Sequence, residues 1–177
     1  MTQQLTIDLA HSEINFIVKH MMFAKVKGTF EKFSGTINLD ESNILNSSVE
    51  VEIDPSSINT RDENRDNHLR SNDFFGVEQN PVITFKSTRI EAGKGSGDYK
   101  VYGDLTMNGV TKEVVLDAEF TGKGVSPMGP TVYGFSATTT LNRKDFGMNW
   151  NAALEAGGVL VSDEVKIEIE IEANPAA

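Results

Sequence analysis

The 177-residue chain has no cysteine, which rules out disulfides, thiolate metal sites and cysteine catalysis. It has no apolar run near the roughly 20 residues that a membrane-spanning helix needs. It begins Met-Thr-Gln-Gln-Leu-Thr-Ile-Asp-Leu, without a basic segment leading into an apolar stretch. No signal peptide is visible there, so the expectation is a cytoplasmic protein, periplasmic or secreted only if a leader has been removed. Basic residues are scarce, 16 against 26 acidic ones, for a formal charge of −10. That balance argues against a nucleic-acid partner and disfavours docking on anionic membranes. Catalytic signatures are missing too: there is no Gly-x-Ser-x-Gly elbow and no His-Glu-x-x-His helix. The stretch Gly93-Lys94-Gly95-Ser96-Gly97 lacks the Lys-Ser/Thr ending of a phosphate loop and precedes a strand, not a helix.

What the chain does have is alternation. Val165-Lys166-Ile167-Glu168-Ile169-Glu170-Ile171-Glu172 places apolar and charged residues in strict turn. Side chains of a strand point to opposite faces with period two, so this run has one dry face and one wet face. The pattern recurs, and strands are expected over residues 14–19, 26–39, 45–53, 82–90, 99–107, 110–120, 131–141 and 161–173. Gly28 and Gly35 suggest bends in the second of these. Asn108-Gly109 marks a tight hairpin. Thr60-Arg61-Asp62-Glu63 fits a capping box opening a helix over residues 61–71, in which Asp66 and Arg70 stand four apart. Residues 152–156, stopped by Gly157-Gly158, read as a helical turn. Strands with one dry face must roll those faces together. Residues 1–177 are therefore expected to form one all-β domain, an eight-stranded antiparallel up-and-down barrel with one short inserted helix.

At eight strands a barrel interior is either filled by side chains or holds one ligand. The ten phenylalanines and six methionines suit both outcomes. His11, His20 and His68 share no motif. Two of them with a carboxylate such as Asp66 would suffice for zinc, but each serves equally well in a hydrogen-bond network, and no metal is expected. Arg61, Asp62, Arg65, Asp66 and Arg70 make a mixed-charge helix face. Such a face is ordinarily solvated; alternatively it turns Arg65 toward an acidic ligand head at a barrel mouth.

Longer motifs carry more. His11-Ser12-x-Ile14-x-Phe16-x-Val18-x-His20 is followed by Val26-x-Gly28-x-Phe30-x-x-Phe33-x-Gly35. Ile58-x-Thr60 leads to Arg65-Asp66-x-His68-Leu69-x-Ser71-x-Asp73-Phe74-Phe75, then Pro81-x-Ile83-Thr84-Phe85-x-Ser87. Gly103-Asp104-Leu105-Thr106-x-x-Gly109-Val110-Thr111-Lys112 and Asn142-Arg143-x-Asp145-Phe146-Gly147 complete the series. In order and spacing these resemble the YceI-like family across nearly the whole chain. The resemblance implies a lipocalin-like barrel that binds, stores or transports an elongated apolar ligand, a polyisoprenoid or related lipid, often as a homodimer. It implies neither catalysis nor a cofactor. Many members carry a periplasmic leader; its absence here favours a cytoplasmic branch.

One strand face would line the pore: Phe16, Val18, Phe30, Ile37, Val51, Ile53, Phe85, Leu105, Met107, Phe120, Phe135, Ile167 and Ile169. His20, Arg65 and His68, the polar residues of the signature, are the candidates for its mouth and for a head group. Two other readings stay open. One is an enzyme acting on a lipid-like substrate at that mouth, the other a stress-linked structural protein with a solid core.

Overall fold

The computed structural model describes residues 2–154 and 157–176. Its strands are β1 (Gln3–Ile7), β2 (Glu13–His20), β3 (Ala24–Phe30), β4 (Phe33–Leu39), β5 (Ser48–Ile53) and β6 (Ile58–Asn59). After the helix α1 (Glu63–Arg70) come β7 (Ile83–Ala92), β8 (Asp98–Met107), β9 (Val110–Val125), β10 (Thr131–Asn142) and β11 (Glu164–Pro175). All pairings are antiparallel, and β1 closes the sheet by pairing with β4 on one side and β11 on the other. Three staves are broken in two: β1 and β2 lie end to end along β11, β3 runs on into β4, and β5 into β6. With β7 to β11 the staves number eight. The fold is the expected closed antiparallel barrel with one helix.

Each break has a local cause. After β1, the Asp8 side chain accepts from the Ala10 N–H and opens a 3-10 turn over Leu9–His11. After β5, Asp54 caps a turn in which Pro55 removes a ladder donor. The long strand expected over residues 26–39 yields at Glu31 and Lys32, not at its glycines. Gly28 and Gly35 serve close approach instead. A Cβ on Gly28 would lie 2.2 Å from Cζ of Phe16, and one on Gly35 would lie 2.7 Å from the Glu50 carbonyl oxygen. At the Asn108–Gly109 hairpin both residues take the positive φ values of a primed turn, 53° and 74°. The half-stave β1 is not among the expected strands, because Gln3-Gln4-Leu5-Thr6-Ile7 alternates only over Leu5 and Ile7.

The helix begins two residues later than the capping box suggests. Asp62 is its cap, accepting from the Arg65 N–H. The Thr60 hydroxyl and N–H both donate to the carboxylate of Asp66, which is buried. That bond, not a pair with Arg70, is what Asp66 does; Arg70 donates instead to the carbonyls of Ser56 and Ile58. Phe74 and Phe75 then turn back and are buried against Phe16 and Phe30. Of the helical turn expected over 152–156, residues 155 and 156 lie outside the described residues, and Ala153 forms a β-bridge to Val159. Among the described residues no helix is long and apolar enough to cross a membrane.

Candidate functional site, an apolar cavity inside the barrel

The inward faces of the staves do not meet. They enclose a cavity of about 580 Å³, within the ~300–1,000 Å³ usual for small-molecule sites. All thirteen residues expected on the pore wall line it. They stay in phase because cross-strand partners match: Phe16 faces Ile167, Phe85 faces Val51 and Leu105, and Phe135 faces Phe120 and Ile171. Close glycines let the larger rings lie flat on the wall. The Phe16 ring covers Gly28 and the Phe85 ring covers Gly103.

His20, Arg65 and His68 also line this cavity. His20 ends β2, while Arg65 and His68 face inward from α1, so all three sit at the end where α1 fills the gap between β6 and β7. Arg65 donates from Nε to the Thr60 hydroxyl at 2.8 Å and from Nη2 to the Thr60 carbonyl at 2.7 Å. It forms no ion pair among the described residues, with Asp145 or any other acid. Nε2 of His68 bonds Asp73 at 2.8 Å, and its ring meets Phe74 and Trp150 edge-on, with centroids 5.1 and 4.6 Å away. Among the described residues, the charged or imidazole residues along the wall are Lys19, His20, Arg65, His68, Arg143 and a single acid, Glu119, of which Lys19 and Glu119 are exposed. Positive charge therefore gathers at the helix end of an otherwise apolar interior.

Arg143, in the motif Asn142-Arg143-x-Asp145-Phe146-Gly147, organises this end. It is 4% exposed. Nη1 donates to the carbonyls of Met148 and Trp150 at 2.7 and 2.8 Å, and Nε to that of Ser162 at 2.9 Å. Burial pulls its pKa down, opposed by Asp163 at 3.8 Å. One guanidinium thus pins the irregular segment after β10 across the rim, where Met148, Trp150, Leu160 and Val161 join the lining.

The histidines do not assemble a zinc site with Asp66, whose carboxylate is occupied by Thr60. Among the described residues one metal-sized group exists, Asp8, His11 and Glu172. It lies outside the cavity, where Asp8 bonds His11 at 2.8 Å and raises the pKa of its imidazole.

The YceI-like domain profile matches residues 5–173. The chain belongs to the YceI-like family. A UPF0312 protein of Staphylococcus epidermidis is 43% identical over 170 residues, 96% of each chain. The crystal structure of Burkholderia cenocepacia BcnA superposes with a TM-score of 0.83 at 26% identity, covering 95% of this chain and 99% of that one. A Campylobacter jejuni YceI protein gives 0.77 at 32% identity over 90% of both chains. A domain from Saccharophagus degradans, described as polyisoprenoid-binding, gives 0.69 at 15% identity over 99% of this chain, a likeness of fold alone. The three solved structures share the fold over 90% or more of this chain.

Proposed function

We propose that the protein binds, and so stores or carries, one elongated apolar molecule, a polyisoprenoid or related lipid, inside a single-domain barrel. The observation that carries this reading is the unfilled apolar cavity whose wall is built from the inward residue of stave after stave. A chain of CH₂ and CH₃ groups gains about 25 cal/mol per Å² from such a wall without needing a specific polar partner. The polyisoprenoid-binding description of the Saccharophagus degradans domain agrees with an extended occupant. Binding, not turnover, fits the mouth, because the bonds of Arg65 to Thr60 and of His68 to Asp73 hold structure in place. The cationic residues there suit an acidic or oxygenated head, with Arg65 the best placed.

The test is a titration with prenyl alcohols and prenyl phosphates of matched chain length. Both should bind, affinity should rise with chain length until the cavity is full, and the phosphate should bind more tightly. Affinity independent of chain length would sink the reading, and hydrolysis of the phosphate would replace it with an enzyme.

A further inference from the structure

The turn between β2 and β3 runs against ordinary turn chemistry. Left-handed backbone in a short reversal favours glycine or asparagine. Here Met21 and Met22 take it, at φ 57° and 71°, and Phe23 follows. Met22 is 55% exposed and Phe23 82%. The tip is braced from beneath: the Met21 N–H donates to the Leu160 carbonyl at 2.9 Å and the Val159 N–H to Sδ of Met22 at 3.4 Å. Phe23 is thus held outward, in water, with Met21 and Met22 partly exposed beside it on a fixed support.

Behind the tip stand Lys19, Lys25 and Lys27, all exposed. Lys19 and Lys25 are partners across the two strands, an arrangement of like charges that costs stability. None of the three has an ion pair among the described residues. The adjoining groove adds Arg61 and Arg65, with Glu13 as its one acid among the described residues. A chain of net charge −10 therefore carries a cationic collar around an exposed apolar turn. Screening over about 8–10 Å lets that local collar, not the distant acids, decide what approaches. The collar also adjoins the cavity at this end, since Lys19 and Arg65 are among the residues that line it. The far end of the barrel lacks this combination. Met128 is 94% exposed there, but nearby Lys123 is bonded to Glu41.

We propose that Met21, Met22 and Phe23 insert into the headgroup region of an anionic phospholipid bilayer, with Lys19, Lys25 and Lys27 against its surface. Apolar side chains backed by lysines are what such an interface holds, and the mouth then faces a reservoir of apolar chains. Uptake at that mouth rests on the cavity reading; docking does not.

Sedimentation with lipid vesicles tests it. The protein should pellet with vesicles rich in phosphatidylglycerol, far less with phosphatidylcholine alone, and be released by salt. Phe23→Ser should weaken the partition about tenfold, and the double variant Lys25→Glu/Lys27→Glu by at least about tenfold, whereas Met128→Ser should leave it unchanged. Uptake of an apolar fluorescent dye from vesicle-free solution reports the cavity separately and should be normal in all of these variants. Equal binding to both vesicle types, or wild-type binding by the Phe23 and lysine variants, overturns the proposal. So does ultracentrifugation showing a dimer that Phe23→Ser dissociates, because the tip is then covered by a second copy. Dye uptake without docking leaves the cavity reading standing, and docking without dye uptake refutes that reading alone.

Discussion

Gly28 and Gly35 offer a test of whether the barrel is hollow, because an added methyl meets a different obstacle at each. At Gly35 the new Cβ would lie 2.7 Å from the Glu50 carbonyl oxygen and 2.7 Å from Cδ1 of Ile7. The carbonyl belongs to the neighbouring stave and cannot yield without moving the sheet. Gly35→Ala should cost about 1–3 kcal/mol as overpacking, lowering Tm by roughly 3–10 °C at about 2–4 °C per kcal/mol. At Gly28 the contacts are closer, 2.2 and 2.5 Å, yet they are to the far edge of the Phe16 ring. With open space beside it, that ring can swing off the wall. The loss of unfolded-chain freedom, about 0.4–1 kcal/mol, offsets part of the cost, so Tm should move by less than about 3 °C. The displaced ring then occupies cavity, removing contacts worth one or two methylenes at about 0.8 kcal/mol each. Lipid affinity should fall about 4- to 15-fold. Calorimetry of the two variants beside a lipid titration decides the matter. If Gly28→Ala is as destabilising as Gly35→Ala, the ring has nowhere to go and the interior is solid.

Other perturbations separate the roles of the polar and wall residues. Arg65→Ala removes two charge-assisted hydrogen bonds to Thr60 and should lower stability by about 2–3 kcal/mol. If prenyl phosphate affinity falls as well while prenyl alcohol affinity does not, Arg65 contacts the head; unchanged affinities for both ligands would leave it only as a fastener of α1. Arg143→Met removes a buried guanidinium's bonds to the carbonyls of Met148, Trp150, Val161 and Ser162 and should cost about 3–5 kcal/mol, with the segment after β10 losing hydrogen-exchange protection before the strands do. Unaltered protection there would mean that Arg143 does not hold the rim. Phe85→Asp puts an unpaired carboxylate on the apolar wall at several kcal/mol, so stability should recover toward acidic pH as the group protonates; wild-type lipid binding by the folded variant would contradict the placement. Asp40 has its pKa lowered from 3.8 to about 2, chiefly by the Ser42 hydroxyl. Because the folded value is depressed, its stabilisation is complete above about pH 4 and is lost as pH falls toward 2. Acid titrations followed by circular dichroism should show a shallower slope in that window for Asp40→Asn, and an unchanged slope would refute the assignment.

The barrel was legible because its rule is local. Alternation in residues 165–172 or 110–120 survives whatever the strand packs against, and one face of each had to be dry. The wall residues followed from the same phase, and no bulge intervened at Phe16, Phe85 or Ile167 to slip it. Of the register shifts that do occur, the one between Ser87 and Arg89 falls beyond Phe85, and the one at Gly134/Phe135 falls beside two wall residues, Phe120 and Phe135, which still stand opposite each other. Emptiness was not legible: Phe, Leu and Ile have the same pattern around a void as in a packed core, and only the closed geometry separates the two. Thr60 misled because Asp62 competes for the same cap and wins, leaving the Thr60 hydroxyl to Asp66. Arg143 stayed silent because its partners are main-chain carbonyls, which no side-chain pattern announces. The cationic collar at the β2–β3 turn was hidden by net charge, a sum over the whole chain that is blind to where each charge sits.

The central claim is that the cavity holds an apolar chain. Mass spectrometry of the protein under native conditions, after gentle purification and then after mixing with a long prenyl lipid, measures that directly. The account predicts a one-to-one adduct of lipid mass that is lost on denaturation and reduced in Gly28→Ala. Protein that stays at its bare mass after exposure to prenyl lipids and to other long-chain lipids would contradict it.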